Sequence, residues 1–129
     1  MQDYTKLLVW QRARSLTVAV HEATRRIHPR AALGLRAQLL RAAMSIGATI
    51  AEGAGRESRP DFARFVTMAI SSTSEVEHHL TVCTDLGLVD DSIVGRLTDR
   101  CQEIRKMLYG LRRAILKADA EDDSTPDSD

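Results

Sequence analysis

Ser58-Arg59-Pro60-Asp61-Phe62-Ala63-Arg64-Phe65-Val66 opens with a hydroxyl able to cap a helix, a proline suited to the first turn, and an acid three residues after the cap. An apolar line then runs through Phe62, Phe65 or Val66, Ala69, Thr73, Val76, Leu80 and Cys83, at steps of three and four, until Gly87 offers a helix-ending glycine. A start, a stripe and a stop of this kind specify one long amphipathic helix. Downstream, Asp90 or Asp91 caps another, whose stripe Val94, Leu97, Cys101, Ile104, Leu108, Leu111, Ile115 is the most regular in the chain.

Upstream, Gly53 and Gly55 supply a chain reversal after a helix expected over residues 33–54. That segment carries two apolar stripes side by side. One is Leu35, Leu39, Ala42, Ile46, Ile50; the other is Leu33, Ala37, Leu40, Met44, Ala48, Ala51. More of this helix must be covered than one bundle core covers, so it is a candidate oligomer face. The small residues Ala43, Gly47 and Ala51 would let another helix approach. The first helix is expected over residues 7–28 with the stripe Trp10, Ala13, Leu16, Val20, Ala23, Ile27, ending before Pro29. No segment alternates with period two. The expected architecture is all-α, an antiparallel up-down four-helix bundle without strands over residues 1–118.

With 129 residues, one core is expected. Only 4% of the residues are aromatic, which argues against an aromatic-rich binding platform. The N-terminus lacks a basic segment followed by an apolar run, and no stretch is apolar enough to span a bilayer, so a soluble, cytoplasmic protein is expected. The formal net charge of zero conceals an asymmetry: residues 1–118 hold 18 basic and 12 acidic residues, and the other six acids lie in residues 119–129. That segment has almost nothing to bury and is expected to be a disordered acidic tail.

Few motifs in the chain carry recognisable chemistry. Glu75-Val76-Glu77-His78 contains the Glu-x-x-His of di-iron bundles, but the second such motif is missing. His21-Glu22-Ala23-Thr24-Arg25 begins like a zinc-protease helix and has Arg25 where the second histidine is needed. Cys83 and Cys101 lie on apolar stripes of different helices and read as core residues. No metal, cofactor, small-molecule substrate or catalytic residue is expected. What remains is arginine, 15 of the 18 basic residues. Arg25, Arg26 and Arg30 surround the first turn, Arg56 and Arg59 the second, and Arg105, Arg112 and Arg113 line the last helix with Lys106 and Lys117. Guanidinium groups grip phosphates bidentately, and phosphate contacts supply most sequence-independent nucleic-acid affinity. These eight arginines are the candidate nucleic-acid contacts; a solvated face is the plain alternative.

From Leu8 to Leu116 the chain resembles the four helix bundle protein family, also called 23S rRNA intervening-sequence proteins, and is more distantly similar to the accessory protein of diversity-generating retroelements. The resemblance rests on Val9-Trp10-Gln11-Arg12-Ala13, Gly34-Leu35, Gln38-Leu39 and Arg41-Ala42-Ala43-Met44-Ser45-Ile46. It continues through Ile50-Ala51-Glu52-Gly53, Gly55-Arg56, Ser58, Asp61-Phe62, Phe65, Ala69, Ser72, Glu75 and Leu86-Gly87. Two positions depart from the pattern: Leu33 replaces an acid, and Ser71-Ser72 stands for Gly-Ser. The resemblance implies a homopentameric ring with no established catalytic activity. Around the prominent motif, Glu52 or Glu75 is expected to pair with Arg41 or Arg56 and fix packing or a subunit contact, with Ser58 as a cap. The functional expectation is an oligomeric scaffold binding structured RNA or a nucleic-acid enzyme. The alternative is a protein-interaction module that touches no nucleic acid.

Overall fold

The computed structural model of the protein describes residues 3–124. A 3₁₀ turn at Tyr4–Lys6 leads into α1 (Leu8–Thr24), and a second at Ala31–Leu33 into α2 (Leu35–Ala54), which is followed by α3 (Arg59–Asp85) and α4 (Asp91–Ser124). No strand occurs among the described residues. α2 packs on α1 and α3, α4 packs on α3 and α1, and the diagonal pairs make no backbone approach. Consecutive helices joined by short turns and packed side by side make the expected up-down four-helix bundle.

α3 starts and stops where its sequence says. Ser58 Oγ accepts the Asp61 N–H at 3.2 Å, and Pro60 occupies the first turn, where its missing N–H costs nothing. At the other end the Gly87 N–H donates to the Thr84 carbonyl and the Leu88 N–H to the Cys83 carbonyl. Gly87 sits at φ 67, the left-handed conformation that this pair of bonds requires. Both Phe65 and Val66 are buried, together with Phe62, Ala69, Thr73, Val76, Leu80 and Cys83. Leu16, Leu39, Ile46, Ile50, Leu80 and Leu108 are fully enclosed, and each contributes about 1.5–3 kcal/mol by leaving water.

The two stripes of α2 separate cleanly. Leu35, Leu39, Ala42, Ile46 and Ile50 are buried, whereas Met44 is 55% exposed and Ala37 and Ala48 lie open beside half-buried Leu40 and Ala51. The neighbour admitted by the small residues belongs to the same chain: a side chain at Gly47 would meet the Trp10 ring at 3.6 Å and Ala13 at 3.9 Å, both on α1.

α1 differs in detail from its expected stripe. Val9 and Thr24 join Ala13, Leu16 and Val20 inside, while Trp10 and Ala23 turn to the seams and are half-buried. Thr24 is tolerated there because its hydroxyl donates to the Val20 carbonyl at 2.8 Å. α1 stops at Thr24 rather than near residue 28, and α2 starts two residues later than expected. The reason for the late start is local. Ala32 (φ 50), Leu33 (φ 56) and Gly34 (φ 76) are consecutively left-handed, which no right-handed helix accommodates, and Leu33 points outward with 94% exposure.

α4 overruns the boundary expected at residue 118. Residues 119–124 are helical rather than the start of a tail, with Lys117 reaching Glu121 at 4.0 Å and Asp122 ion-pairing with Arg59 on α3. The rest of the expected acidic tail, residues 125–129, lies outside the described residues.

Candidate nucleic-acid interface

The corner between α2 and α3 holds most of the motif Glu52-Gly53 to Phe65. Gly53 lies so close to α3 that a Cβ there would stand 2.6 Å from the Phe65 Cβ and 3.1 Å from the Phe62 ring. The guanidinium groups of Arg56 and Arg64 flank the Phe65 ring at 4.6 and 4.7 Å. Arg56 also pairs with Glu52 at 3.1 Å and lies 3.7 Å from Asp61, which pairs with Arg64 at 2.9 Å. Glycine for close approach, Ser58 for the cap and the arginines around Phe65 close a helical hairpin. These residues of the motif form the corner itself. Glu75, by contrast, lies 3.5 Å from His79 one turn along α3, and Arg41 has no carboxylate partner among the described residues.

The eight candidate arginines do not form one surface. Arg25, Arg26 and Arg30 stand at the α1–α2 end of the bundle, and Arg56 and Arg59 at the α2–α3 end. The length of α2, about 30 Å at 1.5 Å per residue, lies between them. Several carry their own counter-charge: Arg25 pairs with Glu22 at 3.1 Å, Arg56 with Glu52, and Arg59 with Asp122. Asp122 also lines an open groove of about 810 Å³ between the end of α4 and the corner, with Arg59, Ala54, Phe62, Leu111 and Ala118.

The remaining arginines sit along the α3–α4 seam and on α4's outer side. Arg105 donates to Glu77 at 2.5 Å and to Thr73 Oγ1 at 3.0 Å, with both charged side chains only 24% exposed. Arg112 is held differently. It donates to Thr67 Oγ1 at 3.1 Å, that hydroxyl donates to the Ala63 carbonyl, and the guanidinium lies over the Tyr109 ring at 4.8 Å. Both partners are neutral, so Arg112 is positioned without being neutralised. Arg112, Arg113 and Lys106 have no carboxylate within ion-pairing distance among the described residues. Tyr109 belongs to this surface and was not among the sequence candidates. Its signal was available: positions 105, 106, 112 and 113, one turn on either side, are all basic.

Both thiols are free and buried. Burial pushes the Cys83 thiol up, and burial together with the neighbouring Glu77 charge pushes Cys101 up to about 12 against the opposing pull of Arg105. Cys101 Sγ donates to the Thr73 carbonyl at 3.1 Å, and both sulfurs pack in the core. Among the described residues no group of three or more His, Cys, Asp and Glu side chains could hold a metal, and no helix is long and apolar enough to cross a membrane.

The family model described as 23S rRNA-intervening sequence protein matches residues 5–110. No functionally curated protein matches the chain. Among solved structures, a protein of unknown function from the S23 ribosomal protein family of Bacteroides thetaiotaomicron superposes with a TM-score of 0.75 at 22% identity, covering 81% of this chain and 98% of its own. At that identity the likeness speaks for the fold. The match of the family model, spanning α1, α2, α3 and most of α4, goes further: the chain belongs to the 23S rRNA-intervening sequence protein family.

Proposed function

We propose that the protein is a non-catalytic cytoplasmic scaffold, assembled from several copies, that binds structured RNA through the outer face of α4. One observation carries the reading: Lys106, Arg112 and Arg113 share a surface on which no carboxylate pairs with them, whereas Arg25, Arg56, Arg59 and Arg105 are each matched to an acid. An uncompensated cluster of cations is the electrostatic footprint of a polyanion partner. The family's connection with ribosomal RNA insertions supports RNA as that polyanion. The assembly is a homo-oligomer, a pentamer by resemblance, built on the outward stripe of Ala37, Leu40, Met44, Ala48 and Ala51 on α2.

The test is binding of a labelled structured RNA at about 50 and 200 mM salt, with mass by light scattering on the same samples. Three phosphate contacts per subunit give a loss of at least about 20-fold over that range. Submicromolar, salt-sensitive binding by an oligomer is the expected result. No binding at the lower salt would leave the protein-interaction module in its place.

A further inference from the structure

Tyr109 is an exposed aromatic ring in a ring-poor protein, and its surroundings are unusual. Residues three and four positions away on a helix are its surface neighbours. For Tyr109 these are Arg105, Lys106, Arg112 and Arg113, all basic. Only Arg105 has its charge answered, by Glu77. The other three have no carboxylate within ion-pairing distance among the described residues, and of them Arg112 alone is held in place, by Thr67 and the Tyr109 ring. Tyr109 remains 38% exposed although its ring is large enough to be covered.

The geometry points to a site for an unpaired RNA nucleotide, its base stacked on the Tyr109–Arg112 pair and its flanking phosphates held by Arg112, Arg113 and Lys106. The inference rests on the proposed RNA-binding function and narrows it to one surface and one class of RNA. Aromatic rings and guanidinium planes are the platforms on which splayed-out bases stack. Here the Arg112 guanidinium already lies over the Tyr109 ring, 4.8 Å from its centre. Thr67 fixes the guanidinium by accepting from one of its five N–H groups, leaving donors for a phosphate. Thr67 is thus a positioning residue. A base-paired RNA hides the faces of its bases within the helix, so only an unpaired segment can use the ring. Duplex RNA can meet the cations alone.

The experiment compares the full chain and its variants by fluorescence anisotropy on a single-stranded RNA of about 12 nucleotides and on the same RNA annealed to its complement. Tyr109→Leu keeps an apolar body and removes the stacking face; it is expected to weaken single-strand binding about 10-fold while leaving duplex binding and both salt slopes unchanged. Tyr109→Phe should bind like the parent. Arg112→Lys keeps the charge and loses the planar group, so it should weaken single-strand binding several-fold without changing the salt slope. Thr67→Val, which frees Arg112, should act in the same direction and more weakly. Circular dichroism melts of each variant check that the bundle persists; if Tyr109→Leu unfolds, Arg112→Lys decides. Equal loss on both RNAs, or no loss on either, would overturn the stacking site and leave the RNA-binding function standing. A parent protein that binds neither RNA at low salt would overturn both.

Discussion

Two glycines in helices make a matched test of the packing. Alanine in place of a mid-helix glycine gains about 1 kcal/mol from propensity. At Gly95, on the exposed side of α4, an added Cβ meets nothing within 4 Å, so Gly95→Ala should stabilise by about 0.5–1 kcal/mol. At Gly53 the same methyl stands 2.6 Å from the Phe65 Cβ, about 1 Å inside the optimal carbon–carbon separation. That Cβ is fixed to the α3 backbone and cannot swing aside. Relief requires α3 to move, which also disturbs Phe62 and the Arg56 and Arg64 guanidinium groups around Phe65. Overpacking of this kind costs about 1–3 kcal/mol and occasionally more. We expect Gly53→Ala to destabilise by about 2 kcal/mol net of the propensity gain. Urea unfolding at one fixed protein concentration should then shift the two midpoints in opposite directions with unchanged slope. A Gly53→Ala protein as stable as its parent, alongside a stabilised Gly95→Ala, would refute the close approach of α2 and α3.

Leu33→Asn should raise stability by about 1 kcal/mol, read as a higher melting temperature, because asparagine tolerates the left-handed conformation and the leucine side chain it replaces lies outside. Glu77→Ala should cost about 2 kcal/mol by leaving the half-buried Arg105 with Thr73 alone, whereas Glu22→Ala, at an exposed pair, should cost less than about 0.5 kcal/mol; paired urea melts distinguish the two. The Cys101 pKa is raised in the folded state, so its stabilising effect is complete below the unfolded value near 9.0 and is lost as pH climbs toward about 12. Unfolding free energies should accordingly fall with pH above that point, and less steeply in Cys101→Ala. Replacing Asp119, Asp122 and Asp123 with asparagine should tighten RNA binding by freeing Arg59 and lowering the local negative charge, measured by anisotropy at low salt; unchanged affinity would remove the acidic end of α4 from the interface.

The fold was legible because its instructions are local. Ser58, Pro60 and Gly87 act within a turn of themselves, and the stripes of α3 and α4 need only one helical period to be read. Apart from the late start of α2, which the left-handed run at residues 32–34 sets locally, the misreadings have long-range causes. Trp10 scores as apolar but is too large for the centre of the bundle, so it lies against Gly47 while the smaller Val9 turns inward. Both stripes of α2 are apolar throughout, although one is richer in Leu and Ile and the other in Ala. What decides between them is that Leu39, Ile46 and Ile50 lie in the core, where α2 packs on α1 and α3, whereas Met44 and Ala48 face outward. The end of α4 was misplaced because its acids look like a solvated tail, and the Arg59 that receives Asp122 is 63 residues away.

The same distance effect governs the candidate interface. In the sequence the eight arginines look equivalent, since a sequence shows charges and not the charges opposite them. Folding brings Glu77 to Arg105 and Asp122 to Arg59 from other helices, and it places only neutral groups against Arg112. The informative property of a surface arginine is therefore the mismatch between how firmly it is held and how little of its charge is answered. An arginine fixed by a carboxylate has its partner already; one left to solvent must give up side-chain entropy to acquire one. Arg112 is fixed by Thr67 and Tyr109 and retains its full charge, so it can meet an anion with less of that entropy still to lose than Arg26, Arg30 or Arg113. Preorganisation of this sort, rather than net charge, is what separates the α4 face from the rest of a protein whose charges sum to zero.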